Sequence, residues 1–316
     1  MLPETLAALL ADQTTSELIV VLDGADPEST ILLEGLAKSD RRVRPVAIAA
    51  RGAGGAGARQ AGAELARGEI LVFIDDDVVV EPGCVGGHAA WHADGARRVV
   101  LGYMPVQRGP VRRPRDLAAV FYEDGYERMC DAFDESPANV LLNFWAGNFS
   151  IKRADALRVG LFEPAFAAAY HSDRDFGLRC RSAGLEPVFD RSLRARHHVR
   201  RSWAQFHADS RAQGIGRLLV HTRHEDVLGP MVLDLSPGRY VRLMIHAGRR
   251  PRLRPLVQGA LTCAAMLACA AHQSDLAVGA ARLSRFIGFE QGAIEGMRKT
   301  AEVGSAAQRG GARNPV

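Results

Sequence analysis

The apolar positions of the first hundred residues fall into short runs separated by polar, helix-spaced segments. "LIVVLDG" (Leu18 to Gly24) is a β-branched run closed by Asp-Gly, which predicts a buried strand ending in a turn. "ESTILLEGLAKS" then has helical spacing, and "VRPVAIA" (Val43 to Ala49) predicts a second strand. A glycine-rich bend leads into "GARQAGAELARG", an alanine-rich helix stopped at Gly68. "ILVFI" (Ile70 to Ile74) predicts a third strand, and "EPGCVGGHAAWHA" a helix entered through Pro82. Strand and helix alternate, the pattern of an α/β protein with a mainly parallel sheet flanked by helices. Binding residues in such sheets gather at the carboxyl ends of strands. Asp75, Asp76 and Asp77 stand at one such end, and Asp23 at another.

After Val99 to Leu101, another predicted strand, the pattern loosens. A basic loop leads into the helical stretch "DLAAVFYEDGYERMCDAF". "NFWAGNFSIKR", "SDRDFGLRCRSAG", "PVFD" and "LRARHH" follow as short strands and helices with many polar groups. From about Glu225 the chain reads as mostly helical, and the Gly/Ala/Arg/Gln tail after Val303 is expected to be disordered.

Composition narrows the function classes. At 316 residues, 47% apolar and 24% charged, the chain has length for one large or two modest domains with a buried core. The net charge of +4 is too small to point to nucleic acid, and the basic tracts lack the interleaved aromatics that bind it. Lysine occurs only at Lys38, Lys152 and Lys299, so the positive charge is nearly all arginine. A GC-rich genome accounts for that bias; alternatively, "RGPVRRPR" and "RRPRLRP" suit phosphate, which arginine grips with paired hydrogen bonds. The five cysteines have no metal or redox spacing, and no signal peptide is read at the N-terminus, so a reduced, cytoplasmic setting is expected. "LVQGALTCAAMLACAA" (Leu256 to Ala271) is shorter than the roughly 20 residues that span a bilayer and predicts a buried helix.

The acidic cluster admits three readings: a solvated loop, a helical acidic cluster, or a metal site holding a phosphorylated ligand. Val78 to Val80 argue against a helix there. In an extended segment Asp75 and Asp77 share a face and Asp76 takes the other. Such a pair suits Mg²⁺ or Mn²⁺, which combine one or two carboxylates with phosphate and water. "GGAGARQAG" (Gly54 to Gly62) has the look of a phosphate-cradling loop, and Arg59 is either a diphosphate contact or a surface arginine.

"LIVVLDGADPEST", "GARQAGAELARGEILVFIDDDVVVEPG", "WAGNFSIKR", "SDRDFGLRCRSAG" and "ARHH", in this order, resemble the family-2 glycosyltransferases of the GT-A fold over roughly residues 5 to 205. The resemblance implies inverting transfer of a sugar from a nucleotide-diphosphate sugar to an acceptor hydroxyl, with a divalent metal (Mg²⁺ or Mn²⁺). It implies that Asp23 lies near the nucleotide and that Asp75 and Asp77 bind metal and diphosphate, with Asp76 beside them. Trp145, Gly147, Asn148 and Ser172 would line the sugar and acceptor pocket, and Asp173 would be the general base. His197 or His198 would complete the metal site. The resemblance implies a nucleotide-sugar-binding half (1–103) and an acceptor-binding half (104–224); beyond it the residues predict a helical extension (225–303) and a disordered tail (304–316).

The match departs at Ser172, where the family has a second acid, at Leu22 beside Asp23, and at Gln60, commonly Asn. It also departs at the start. Members open with a central strand, whereas "LPETLAALLADQ" matches the helix after it. A missing central strand leaves neighbouring backbone groups unpaired, so a start further upstream is expected. The C-terminal arginines beside a short apolar helix read either as a peripheral contact with an anionic membrane surface or as a helical cap. The rival function is a catalytically silent nucleotide- or glycan-binding protein.

Overall fold

The β-branched run at residues 18–23 forms β1 (Leu18–Asp23), and Val43–Ile48 forms β2 beside it in parallel, with Leu18 opposite Val43 and Asp23 opposite Ile48. Between them runs α2 (Pro27–Ser39), started by Asp26, whose carboxylate accepts from the Ser29 amide at 3.2 Å. An N-terminal helix, α1 (Leu2–Ala11), precedes β1, and α3 (Ala56–Leu65) follows β2 from Gly55 at φ 68°. Then come β3 (Ile70–Ile74), β4 (Val78–Val80), α4 (Cys84–Ala90) and β5 (Arg98–Tyr103). The order continues with α5 (Leu117–Glu135), α6 (Ala138–Leu142), β6 (Asn148–Lys152), α7 (Arg153–Val159), α8 (Ser172–Ser182) and β7 (Glu186–His197). This computed structural model describes residues 1–50, 55–161, 163–166, 170–199, 201–231 and 239–310. The chain divides into two units, Met1–Arg108, Ala119–Ala168 and Ser172–Arg200 in the first, and Gly109–Ala118, Ala169–His171 and Arg201–Val316 in the second.

In the first unit five strands join in the order β3-β6-β5-β7-β4, and β1-β2 form a separate sheet. The large sheet is mixed: β5 and β7 are parallel, while β6 is antiparallel to both β3 and β5, and β4 is antiparallel to β7. The alternation of elements along the chain predicts the α/β class but is silent on β6, which enters the sheet reversed between β3 and β5. "PVFD" and "LRARH", expected as separate pieces, form one strand that pairs β5 with its first half and β4 with its last residues.

β1 and β3 belong to one layer. Ile19, Leu71 and Phe73 pack on one hydrophobic cluster, with Phe149 and Phe176; Leu18, Val72 and Ile74 pack on the cluster of the opposite face, with Val100 and Leu193. Successive residues of a strand face opposite ways, so both strands straddle the same two clusters. Among the described residues no strand lies between them. The Leu18 amide bonds Arg42 and the Gly24 amide bonds Ile48, which turns the backbone groups of Ile19 and Val21 toward the open edge. On β3 the Glu69–Arg153 and Asp75–Gly147 bonds do the same for Val72 and Ile74.

The second unit is helical: α9 (Trp203–Arg223), α10 (Glu225–Leu228), α11 (Arg239–Arg249), α12 (Arg254–Ala270) and α13 (Ser274–Gly310). Helix begins at Trp203, ahead of the expected Glu225, because Ser202 and Gln205 form a reciprocal capping box of 3.2 and 2.8 Å. At the other end α13 runs past Val303 to Gly310, and the rest of the expected tail lies outside the described residues. The predicted buried helix is α12, but burial is one-sided: Leu261, Ala265, Ala268 and Cys269 are buried, while Leu256, Met266 and Leu267 are exposed.

Candidate active site

The three aspartates occupy a turn. The Val78 amide donates to the Asp75 carbonyl at 3.1 Å, closing Asp76 and Asp77 into a tight reversal between β3 and β4. Strand alternation therefore does not decide where they face. The turn leaves Asp76 exposed and Asp75 and Asp77 partly covered. Its exposed corner is tied down from α1, where Thr5 Oγ1 donates to the Asp76 carbonyl at 3.1 Å.

Asp75 faces a cation within the chain. Arg59, in the first turns of α3, places Nη2 at 2.5 Å from Asp75 Oδ1. Burial acts to lower the Arg59 pKa, but the charge and hydrogen bond of Asp75, with the charges of Asp173 and Asp76, raise it overall. Behind Asp75, Gly147 has φ 136°, and a Cβ there would meet Met104 Sδ at 2.8 Å and Asp75 Oδ2 at 3.3 Å. Only glycine lets the chain pass so close to the carboxylate. The Asp75 amide also donates to the Gly147 carbonyl at 3.1 Å.

Arg59, Ser172 and Asp173 line one recess with Ala146, Phe149 and Phe176. Asp173 sits in the first turn of α8, and its Oδ1 accepts from the Arg174 amide at 2.8 Å. Burial pushes the Asp173 carboxyl above its ordinary value; the Arg174 amide, the Arg59 charge and the Ala146 amide pull it down without cancelling the rise. Asp175, two residues on, is a different kind of group. It is fully buried and pairs with Arg179 at 2.8 Å, a structural link within α8.

His197 and His198 come to Asp77 through strand register. Val78 pairs with His197 in the β4–β7 ladder, and the His198 amide donates to the Asp77 carbonyl at 2.9 Å. His197 Nε2 lies 3.6 Å from Asp77 Oδ1. The buried Nε2 of His198 has no hydrogen-bond partner among the described residues. Among those residues no group of three or more His, Cys, Asp or Glu side chains is arranged around a common ion position. Asp77 and His197 are a carboxylate and an imidazole side by side, donor types that suit a divalent ion. Trp145 stands next to this pair through Tyr122, whose ring centroid is 5.7 Å from Trp145 and 6.0 Å from His197. Tyr122 was not legible as a site residue. Its only sequence signal is its place four residues before Tyr126, a second ring against Trp145 at 5.4 Å.

Asp23 and Asn148 are the two remaining expected residues. Asp23 ends β1, on the small sheet. Asn148 is fully buried and its side chain is turned inward: Nδ2 donates to the Leu193 carbonyl and Oδ1 faces His88 Nε2, both at 2.9 Å. With Oδ1 as acceptor, His88 Nε2 carries the ring proton and Nδ1 accepts from Ser150 Oγ at 3.0 Å; Ser150 Oγ accepts in turn from His92 Nε2 at 2.9 Å. Burial lowers the His88 pKa to about 4, so the ring is neutral in this chain of bonds. Asn148 therefore organises the core behind the pocket and does not line it. The glycine-rich segment is described only from Gly55 onward, so Gly54 lies outside the described residues.

The order of motifs around this cluster has a counterpart among known proteins. Residues 1–154 match the model of "Glycosyl transferase family 2". Over this segment the chain is similar to glycosyl transferase family 2. It is 30% identical over 213 residues to a validoxylamine A glucosyltransferase of Streptomyces hygroscopicus subsp. limoneus, covering 60% of this chain and 47% of that protein. With the enzyme of the same name from S. hygroscopicus subsp. jinggangensis it is 31% identical over 216 residues, covering 60% and 50%. The chain spans about half the length of the curated relatives it matches. A mannosyltransferase from Pyrobaculum calidifontis, solved with GDP-Man and Mn²⁺, superposes with a TM-score of 0.55 at 16% identity, covering 94% of this chain and 83% of that one. That likeness is one of fold, and the fold of this chain is GT-A.

Proposed function

We propose that this chain transfers a glycosyl group from a nucleotide-diphosphate sugar to an acceptor hydroxyl with inversion, and that Asp173 is the general base. The observation that carries the reading is the position of Asp173, a carboxyl of raised pKa in the same recess as Arg59, which itself holds Asp75. In a single displacement the acceptor oxygen forms its bond to the anomeric carbon while the bond from that carbon to the diphosphate breaks. The acceptor proton passes to Asp173, and the diphosphate leaves with the bonding electrons. A raised pKa makes Asp173 the stronger base, provided it is ionised at the working pH.

Asp77 and His197 would hold the divalent ion, with His198 next to them. When bound, that ion supplies positive charge to the departing diphosphate. Asp23 and Asp76 are the proposed nucleotide contacts, and Trp145, Gly147 and Ser172 the walls of the sugar and acceptor pocket. The residues before and after position 104 are proposed as donor and acceptor halves.

The test is Mn²⁺-dependent hydrolysis and transfer across a panel of nucleotide sugars, with glucosyl donors at its head because the curated relatives are named glucosyltransferases. The absence of both binding and turnover with every donor sinks the reading. A second reading, a nucleotide- or glycan-binding protein without turnover, is favoured by the split between β1 and β3 and by Ser172 in place of an acid. Metal-dependent donor binding without hydrolysis or transfer is its signature.

A further inference from the structure

The second unit carries a surface that glycosyl transfer does not explain. Residues 239–274 contain six arginines and two histidines and not one aspartate or glutamate. Within that span, no residue from Pro255 to Ala271 carries a formal charge. Leu256, Ala260, Cys263 and Leu267 succeed one another at steps of four, three and four residues, which sets them along one face of α12. That face is open: Leu256 and Leu267 are each 71% exposed and the neighbouring Met266 50%. The opposite face is covered, with Leu261 packed on Ile287 of α13. At the N-terminal end of the stripe stand Arg250 and Arg252, both exposed.

We infer that the exposed face of α12 docks on an anionic phospholipid bilayer, with the apolar stripe in the headgroup boundary and the arginines of the α11–α12 turn on lipid phosphates. Three observations lead there. An aliphatic stripe this exposed is rare on a surface that meets only water. An acid-free, arginine-bearing segment beside it complements a negatively charged leaflet. The same composition disfavours a second copy of this chain as the occupant, since a two-fold contact would set arginine against arginine. The helix lies on the bilayer and does not cross it. At 17 residues α12 is shorter than a span, and no helix of the described residues is long and apolar enough to cross.

The test is flotation of the full chain with vesicles of phosphatidylcholine alone and of phosphatidylcholine mixed with phosphatidylglycerol. Binding is expected to the mixed vesicles only, and to fall as salt rises. Arg250→Gln and Arg252→Gln should each weaken partitioning roughly fivefold, and the pair Leu256→Glu/Leu267→Glu about tenfold or more. These side chains are exposed, so circular dichroism of each variant should match the parent. Failure to float with either vesicle overturns the inference, as does equal flotation of the leucine pair variant. A concentration-dependent dimer that the leucine pair abolishes, without vesicle binding, assigns the face to a second copy and also overturns it.

Discussion

Arg59 Nη2 lies 2.5 Å from Asp75 Oδ1, so the first acid of the triple-aspartate turn is neutralised from within the chain. The same guanidinium pulls the Asp173 pKa down, against burial and the charge of Asp75, which together keep it raised. Arg59→Ala is expected to cost about 2 kcal/mol in transition-state stabilisation, the scale of a lost charged hydrogen bond, or roughly thirtyfold in kcat/KM. Its sharper mark is electrostatic. Without Arg59 the Asp173 pKa rises further, so the acid limb of the pH–kcat/KM profile moves to higher pH. Arg59→Lys should restore part of that shift.

Asp173→Asn should remove transfer by a factor of about 10² to 10⁴ and leave donor affinity within a few-fold of the parent. Isothermal titration with the donor separates the two effects. In the parent protein the folded pKa of Asp173 is raised, so the proposed ionised base is lost as pH falls through a value above the usual carboxylate range near 4. An acid limb at or below that range would remove Asp173 from the role.

Asp77 and His197 should report on metal, Asp75 less so. Chelation with EDTA is expected to abolish turnover, and Mn²⁺ to restore it. Asp77→Ala and His197→Ala should each raise the Mn²⁺ concentration needed for half-maximal activity by about 10- to 100-fold. Unchanged Mn²⁺ titrations in both variants would sink the assignment.

The buried chain from His92 through Ser150 and His88 to Asn148 predicts a pH effect on stability instead of on activity. An unfolded histidine takes its proton near 6.5 and His88 in the fold near 4. The unfolded state therefore binds more protons between those values. Stability from this group is whole above about pH 6.5, falls by about 1.4 kcal/mol per unit toward pH 4, and levels off below. Thermal melts of the parent and of His88→Gln across that range should differ in slope. Asn148→Ala should lower stability by about 1 to 3 kcal/mol and leave donor binding intact, because its amide serves His88 and Leu193.

Much of this was legible in the chain. The runs at Leu18, Val43 and Ile70 form strands within a residue or two of their expected limits, since short β-branched runs leave little choice. For Gly147, expected in the pocket, the positive φ beside Asp75 gives a physical reason for glycine. What escaped depends on contacts distant in sequence. The partner of Asp75 is 16 residues away on another element, and the inward turn of Asn148 is fixed by His88, 60 residues earlier. The turn at Asp76 and Asp77 overrides the alternation their sequence suggests, because β4 must reverse to meet β7. Ser202 and Gln205 carry the Ser-x-x-Gln spacing of a capping box, a start signal ahead of the helix expected from about Glu225.

The unladdered edges of β1 and β3 also bear on how the molecule comes apart. Among the described residues, β1 and β2 are held to the five-stranded sheet by side-chain packing, with no backbone ladder crossing the seam. Opening that seam breaks no strand-to-strand hydrogen bond, so the β1–β2 pair can melt as its own cooperative piece, ahead of the rest. Asp23 rides on one piece and Asp75 on the other. A molecule that grips both at once would fasten two separately melting parts together, and its binding would register as a gain in cooperativity as well as in stability.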